Sequence, residues 1–321
     1  MIRYVCGIED ENVLLSSLLT GRLDIYSSTL SRLKAGGGIY LNGEAVHVRR
    51  PVHEGDIVEI DLACAEIPSQ IPAEPWLPEI IFESEGLIGV NKPAISVVHP
   101  TVFHREGTIA AGVVNYYQQK GIRAGIHIVN RLDLGTSGLM LFAKYGLVQE
   151  RLRKQAERGE YTKIYIGVAD TRNPEQTLRA GDRFDIDAPI ARDRTSIIKR
   201  KVDPDGDPAL TKVKILSVNE EKHTALAAFS LVTGRTHQIR VHMSHAGFPL
   251  LGDSMYDPAF YESENTHQLL HQFRSEFTEP LTQEHMRIYC PLPDEISSEY
   301  PEAEMLQEAA ESSDIFDSLT T

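Results

Sequence analysis

Apolar and polar positions recur along this chain with two periods, and the places where the period changes mark its elements. In residues 12–62, Leu14, Leu15, Leu18, Leu19 and Leu23 follow a helical pattern. A second short helix reads from Thr29 to Gly36, with Ser27 or Ser28 as its cap and Gly36, Gly37 and Gly38 as its stop. Ile39 and Leu41 begin a strand, Asn42-Gly43 supplies a hairpin turn, and Ala45 to Val48 resumes. After the turn His53–Asp56, the alternating Ile57, Val58, Glu59 and Ile60 complete a tight β-meander. Residues 63–78 carry Pro68, Pro72, Pro75 and Pro78 and read as a linker. From 79 to 293, strands alternate with few, short helices and no regular βαβ series. The pattern predicts an α+β domain on a mixed, mainly antiparallel sheet with flanking helices. Residues 294–321 read as an acidic, disordered tail, with at most a helical turn or two around Met305, Leu306 and Ala309.

Composition narrows the class. A chain of 321 residues exceeds a single small core, and 41% hydrophobic with 24% charged residues excludes a disordered or fibrous protein. No apolar run approaches the roughly 20 residues of a membrane span. The N-terminal MIRYVCGIEDENVLL has acids where a secretory signal has its basic flank. Cys6, Cys64 and Cys290 are too few and too dispersed for a disulfide framework or a CxxC metal site, so the cytoplasm is the expected compartment. A net charge of −14 speaks against a nucleic-acid partner. Nine of the 46 acids, however, lie between Asp294 and Thr321, a stretch without Lys or Arg. The remainder carries 37 acids against 32 bases. Basic residues cluster at Arg22, Arg32 and Lys34, at Lys144 to Lys154, and at Arg192 to Lys201. A locally basic face is compatible with these numbers.

Three segments could carry chemistry. In His127–Phe142, Arg131 and Asp133 precede an apolar strand and are surrounded by Gly135, Thr136, Ser137 and Gly138. A charged pair at the mouth of a buried strand suits an active site, and a plain Arg–Asp turn clamp gives the same pattern. In Tyr161–Ala169, period two puts Ile164, Ile166 and Val168 on one face and Tyr161, Lys163 and Tyr165 on the other. The second face could stack a base and touch a phosphate, as an ordinary half-exposed strand also would. In Ser230–Gly247, a strand ends at Thr233-Gly234, Thr236 is the expected helix cap, and Ile239, Met243 and Ala246 form a buried stripe. Arg235 sits at the corner between them. His237, His242 and His245 lack the acid, cysteine or HExxH spacing that a metal site requires. Phosphate-binding and dinucleotide loops, a nucleophile elbow and paired cysteines are likewise missing from the motifs.

Taken together, these segments resemble the RluA family of pseudouridine synthases. The family signature H-R-L-D-x-x-T-S-G-L stands here as N-R-L-D-L-G-T-S-G-L from Asn130 to Leu139, with Asn130 in place of histidine. Asn91-Lys-Pro-Ala94 and Val97-Val-His-Pro100 match N-K-P-A-G-x-x-V-H-P, with Ile95 where glycine is usual. Lys163-x-Tyr165, Gly234 to His242, Leu250–Asp253 with Tyr256, and Leu270-His271 with Pro280 continue the match in order over residues 79–293. Residues 12–62 separately resemble the alpha-L RNA-binding motif, through the helix with Ser28, Arg32 and Lys34, Ile39–Gly43 and Glu54–Asp56.

The resemblance implies isomerisation of uridine to pseudouridine in RNA. The N-glycosidic bond breaks, the uracil turns in the site, and carbon 5 joins the sugar. By resemblance, Asp133 is the carboxylate that attacks or stabilises the anomeric centre. Arg235 pairs with it and keeps it ionised. Tyr165 stacks on a nucleotide extruded from its own stack. Arg131, Lys163, Arg192, Arg194, Lys199, Arg200 and Lys201, with Arg32 and Lys34 of the N-terminal unit, are the expected phosphate contacts. No metal or organic cofactor and no obligate protein partner is implied. Structured RNA is the expected substrate, large-subunit rRNA ahead of tRNA. Two other readings remain open: a catalytically inactive RNA-binding protein, and a glycosidase, which would need a second catalytic acid roughly 5–10 Å from Asp133.

Overall fold

Residues 1–67, 69–102, 104–172, 177–259 and 266–300 are described by a computed structural model of the chain. The N-terminal unit consists of β1 (Ile2–Val5), a short helical stretch begun by α1 (Leu15–Ser17) and continued as a π-turn over Leu18–Arg22, α2 (Ser27–Gly36), β2 (Ile39–Leu41), β3 (Glu44–Ala45) and β4 (Ile57–Ile60). Its sheet runs β1-β4-β2-β3. The unit reaches further back than residue 12, because β1 pairs antiparallel with β4 and Cys6 belongs to the same apolar core. The cap of α2 is Tyr26, with no side-chain bond, rather than a serine, while Gly37 ends the helix in the left-handed region as expected. Leu147 of the larger unit is buried in this core, so the N-terminal unit is packed onto its neighbour as well as tethered to it.

The larger unit is one twisted sheet of ten strands: β5 (Glu79–Glu83), β6 (Leu87–Lys92), β7 (His127–Ile128), β8 (Ser137–Ala143), β9 (Thr162–Asp170), β10 (Arg183–Asp187), β13 (Leu210–Asn219), β14 (Thr224–Leu231), β15 (Leu270–Thr278) and β16 (His285–Tyr289). A separate ribbon pairs β11 (Ile190–Arg192) with β12 (Arg200–Val202). The main order is β10-β13-β14-β9-β15-β8-β6-β5, and every pairing is antiparallel except β15 with β8. The sheet is thus mixed and mainly antiparallel, as the strand pattern predicts. Helices α3 (Ile109–Lys120), α4 (Gly146–Glu157), α5 (Gln238–His245) and α6 (Asp294–Ser297) flank it.

Each of the seven residues of β8 is buried, which follows from a sheet covered on both faces. Strand β9 is covered on both faces too. Ile164, Ile166 and Val168 enter one apolar cluster while Tyr165 enters another, so the half-exposed strand of the sequence reading is not found. The cover over the isoleucine face includes Ile296 and Tyr300, which lie in the stretch read as tail. Tyr300 Oη and Thr224 Oγ1 are 2.6 Å apart, and Lys222 pairs with Glu299 at 2.6 Å. The packed body therefore includes residues 294–300. The turns expected near Met305 and Ala309 lie outside the described residues.

Candidate functional site

The loop carrying Asp133 lies between Leu132, which is buried, and the start of β8. Two buried side chains fix it. Lys92, at the end of β6, donates its ammonium to three carbonyls: Thr136 at 2.7 Å, Pro93 at 3.0 Å and Ala94 at 3.1 Å. Burial pulls its pKa down to about 8, against the opposing field of Asp133. Gln268 donates to the carbonyl of Leu134 and to Thr136 Oγ1. Gly138 has φ +114°, and a Cβ there would lie 2.4 Å from the Gln272 carbonyl oxygen. The parallel pairing of β8 with β15 therefore demands glycine at this point of the signature.

Asp133 borders a cavity of about 290 Å³ also lined by Arg131, Lys163, Tyr165, Arg235, His237 and Arg240. The expected ion pair with Arg235 is not formed. The guanidinium near Asp133 is that of Arg240, with Nη1 4.0 Å from Oδ2. Arg235 is exposed in the turn before α5 and donates from Nε to the Pro208 carbonyl. The reason is where the helix begins. Its N-cap is His237, in the left-handed region, rather than Thr236. Gln238 instead ties the turn by accepting from Arg235 N and Thr233 Oγ1. Arg240 then falls on the buried arc between Ile239 and Met243. Two bonds of 2.7 Å join it to Asp253, itself fully buried. Burial would lower the Arg240 pKa, but the bonds to Asp253 and the fields of Asp253 and Asp133 raise it overall. This guanidinium is a fixed positive charge facing a half-buried carboxylate.

Tyr165 lies on β9 opposite Gln272 of β15, and its hydroxyl is 3.0 Å from Gln272 Oε1. Burial, with the nearby Asp133 and Tyr161, pushes its pKa well above the ordinary 10. Lys163, on the same strand face, lies 5.4 Å from the Tyr161 ring centroid, and burial lowers its pKa. His237 Nδ1 is 2.9 Å from Tyr256 Oη, and desolvation lowers the His237 pKa. Asn130, where the signature has histidine, is buried among Leu139, Leu141 and Gln272.

Asp133, Tyr165, Arg131 and Lys163 thus meet at one cavity, and Arg235 is at its edge. A neighbouring cavity of about 460 Å³ shares Gly234, Arg235 and Thr236 and adds Arg192 and Arg200 from the β11–β12 ribbon. Arg194 and Lys199 belong to the same ribbon connection but line neither cavity, and Lys201 is engaged by Asp203 at 2.7 Å. Arg32 and Lys34 are exposed on α2 of the other unit. The sequence reading missed Arg240, Asp253, Lys92, Gln268 and Gln272 as parts of the site. Lys92, Arg240 and Asp253 stood in matched motifs, and the buried arc of α5 was the further signal for choosing Arg240 over Arg235.

A family model described as RNA pseudouridylate synthase matches residues 86–245. The chain is similar to the uncharacterized RNA pseudouridine synthase YjbO of Bacillus subtilis, with 38% identity over 86% of this chain and 95% of that protein. It is similar to ribosomal large subunit pseudouridine synthase D of Vibrio vulnificus, with 32% identity over 90% of this chain and 93% of that one. Among solved structures, human RNA pseudouridylate synthase domain containing 1 covers 71% of this chain and 88% of its own length. Its TM-score is 0.55 at 21% identity, a likeness of fold.

Proposed function

The chain belongs to the RNA pseudouridine synthases, and from that premise we propose that Asp133 is its catalytic carboxylate and large-subunit rRNA its substrate. One observation carries the assignment. Asp133 borders a cavity with a buried guanidinium 4.0 Å away and Tyr165 in the same lining. At about 290 Å³ the cavity is at the small end for ligand sites, suited to one extruded nucleoside rather than to a stacked strand.

In this reading, Asp133 attacks or stabilises the anomeric carbon as the bond to the base breaks, and the Arg240 guanidinium 4.0 Å away orients the carboxylate. Arg240 takes the part that the sequence reading gave to Arg235. The latter sits at the join between the two cavities, where it suits a phosphate of the same strand. Tyr165 supports the detached uracil while it turns. Arg131 and Lys163, with Arg192 and Arg200 next door, supply positive charge along the path of the backbone, and Arg32, Lys34, Arg194 and Lys199 extend it. The names of relatives that act on the large ribosomal subunit favour rRNA over tRNA. The N-terminal unit serves in this scheme as an alpha-L RNA-binding module, and a cytoplasmic location follows from the rRNA substrate. Among the described residues, no helix is long and apolar enough to cross a membrane.

The test is Asp133→Asn on transcripts of large-subunit rRNA and of tRNA, with pseudouridine read by chemical mapping. Turnover falls by about 10⁴-fold or more while RNA binding and thermal unfolding stay close to wild type. Near-normal turnover would remove Asp133 from the chemistry, and modification confined to tRNA would replace the substrate.

A further inference from the structure

We infer that Asn130 and Gln272 lock the Tyr165 hydroxyl as a hydrogen-bond donor to the protein, so that only its lone pairs are offered to the nucleoside. The inference rests on the reading of the Asp133 cavity as the synthase site, and it concerns residues that reading leaves without a role.

The argument is one of hydrogen-bond polarity. The two ends of an amide side chain have the same shape, so their identity must come from partners whose own polarity is fixed. Asn130 has two such partners on one strand. The Leu141 backbone N–H can only donate, and it meets Oδ1 at 2.7 Å. The Leu139 carbonyl can only accept, and it meets Nδ2 at 2.9 Å. Both ends of the side chain are thereby settled. The second hydrogen of Nδ2 points to Gln272 at 2.8 Å, which must therefore present its oxygen. That sends the Gln272 nitrogen to Ser275 Oγ at 2.9 Å. Tyr165 Oη approaches the same Gln272 oxygen at 3.0 Å, and between these two atoms only the tyrosine has a proton to give.

Nothing in this chain is free to turn over. Asn130, Gln272 and Ser275 are buried; reversing Asn130 would set like against like at both backbone contacts, and reversing Gln272 would set its nitrogen against Asn130 Nδ2 in a dry interior. Histidine, the usual residue of the signature, cannot make the same lock. A neutral imidazole donates through one nitrogen only, whereas Asn130 donates to two acceptors from one atom. The orientation of Tyr165 is therefore set by a residue at which this chain departs from the family pattern.

The consequence bears on the nucleoside. With its proton committed to Gln272, Tyr165 accepts from an N–H or O–H of the substrate, such as the uracil imide or a ribose hydroxyl. It does not donate to the uracil carbonyls. Asn130, at the cavity wall, and Gln272, behind it, are positioning residues that act on the substrate through Tyr165.

Asn130→Asp removes the N–H groups at this position, so that Gln272 turns its nitrogen inward and the Tyr165 proton is redirected into the cavity. Single-turnover kinetics on a large-subunit rRNA transcript should show kcat about tenfold lower, the worth of one buried hydrogen bond, with KM little changed. In a Tyr165→Phe background the same substitution should cost less than about twofold, because the hydroxyl it acts through is gone. An equal loss in both backgrounds would make Asn130 merely structural and overturn the inference. The wild-type protein supplies a second readout that needs no variant at position 130. The Raman Fermi-doublet ratio of Tyr165, isolated by subtracting the Tyr165→Phe spectrum, should be that of a hydroxyl donating to the protein; an acceptor-type ratio overturns the lock. A wild-type enzyme that forms no pseudouridine would instead sink the activity reading, while the Raman result would still decide the hydroxyl.

Discussion

Lys92 shows how a single buried charge can serve the site without touching it. Its ammonium gathers three carbonyls around the Asp133 loop, and its pKa is pulled down to about 8 by burial. Two pH effects of opposite sign follow. Above about pH 8 the ammonium loses a proton, one of its three donors disappears, and the loop is held less firmly. An alkaline limb in kcat near pH 8, displaced upward in Lys92→Arg, is the expected profile. Stability runs the other way. The folded pKa lies below the ordinary 10.5, so the cost of burying the charge is fully present below about 8 and is relieved as pH rises toward 10.5. Denaturant midpoints of wild type and Lys92→Met, compared across that range, measure the difference. That Asp133 and Tyr165 line one cavity could be expected because two separate motifs, Asn130 to Leu139 and Lys163-x-Tyr165, single them out. Arg240 was not, because choosing between two arginines five positions apart requires knowing that α5 begins at Gln238. Hydrogen-bonding side chains gave no local sign of the true cap.

At the scale of elements, the seam between β8 and β15 is the critical joint. Only His271 with Ser137 and Gln272 with Gly138 are paired there, and Gly138 lets the two backbones approach. Gly138→Ala forces a Cβ against the Gln272 backbone and strains a residue at φ +114°. It should destabilise the protein by about 1–3 kcal/mol, with a matching loss of activity through displaced Gln272, both measurable by thermal unfolding and turnover. A neutral result would mean that the strands can part at no cost. The strands themselves were readable from alternation and apolar runs. The insertion of β15 between β9 and β8 was not, since no pattern in residues 270–278 names its neighbours. The cover supplied by Ile296 and Tyr300 was hidden for a different reason: two apolar residues among acids give no periodic signal.

For the molecule as a whole, the two units are joined by more than residues 63–78. Leu147 enters the N-terminal core, Arg151 donates to the carbonyls of Leu23 and Pro280, and Lys154 pairs with Asp24 at 3.1 Å. Arg32 and Lys34 therefore stand at a fixed remove from Asp133, and RNA that reaches both must have a matching shape. Replacing both by glutamate should weaken binding of a large-subunit rRNA transcript and flatten its salt dependence by about one to two in log–log slope. At saturating RNA, kcat should be unchanged. An unaltered slope would take α2 out of the interface. The order of the central strands has one more consequence, for the timing of biosynthesis. The strand that splices the two halves of the sheet is drawn from residues 270–278, so a growing chain lacks the partner of Tyr165 until that strand has left the ribosome. A fold built this way gains the wall of this cavity only after the N-terminal unit and most of the sheet have been made, and shorter nascent forms lack it.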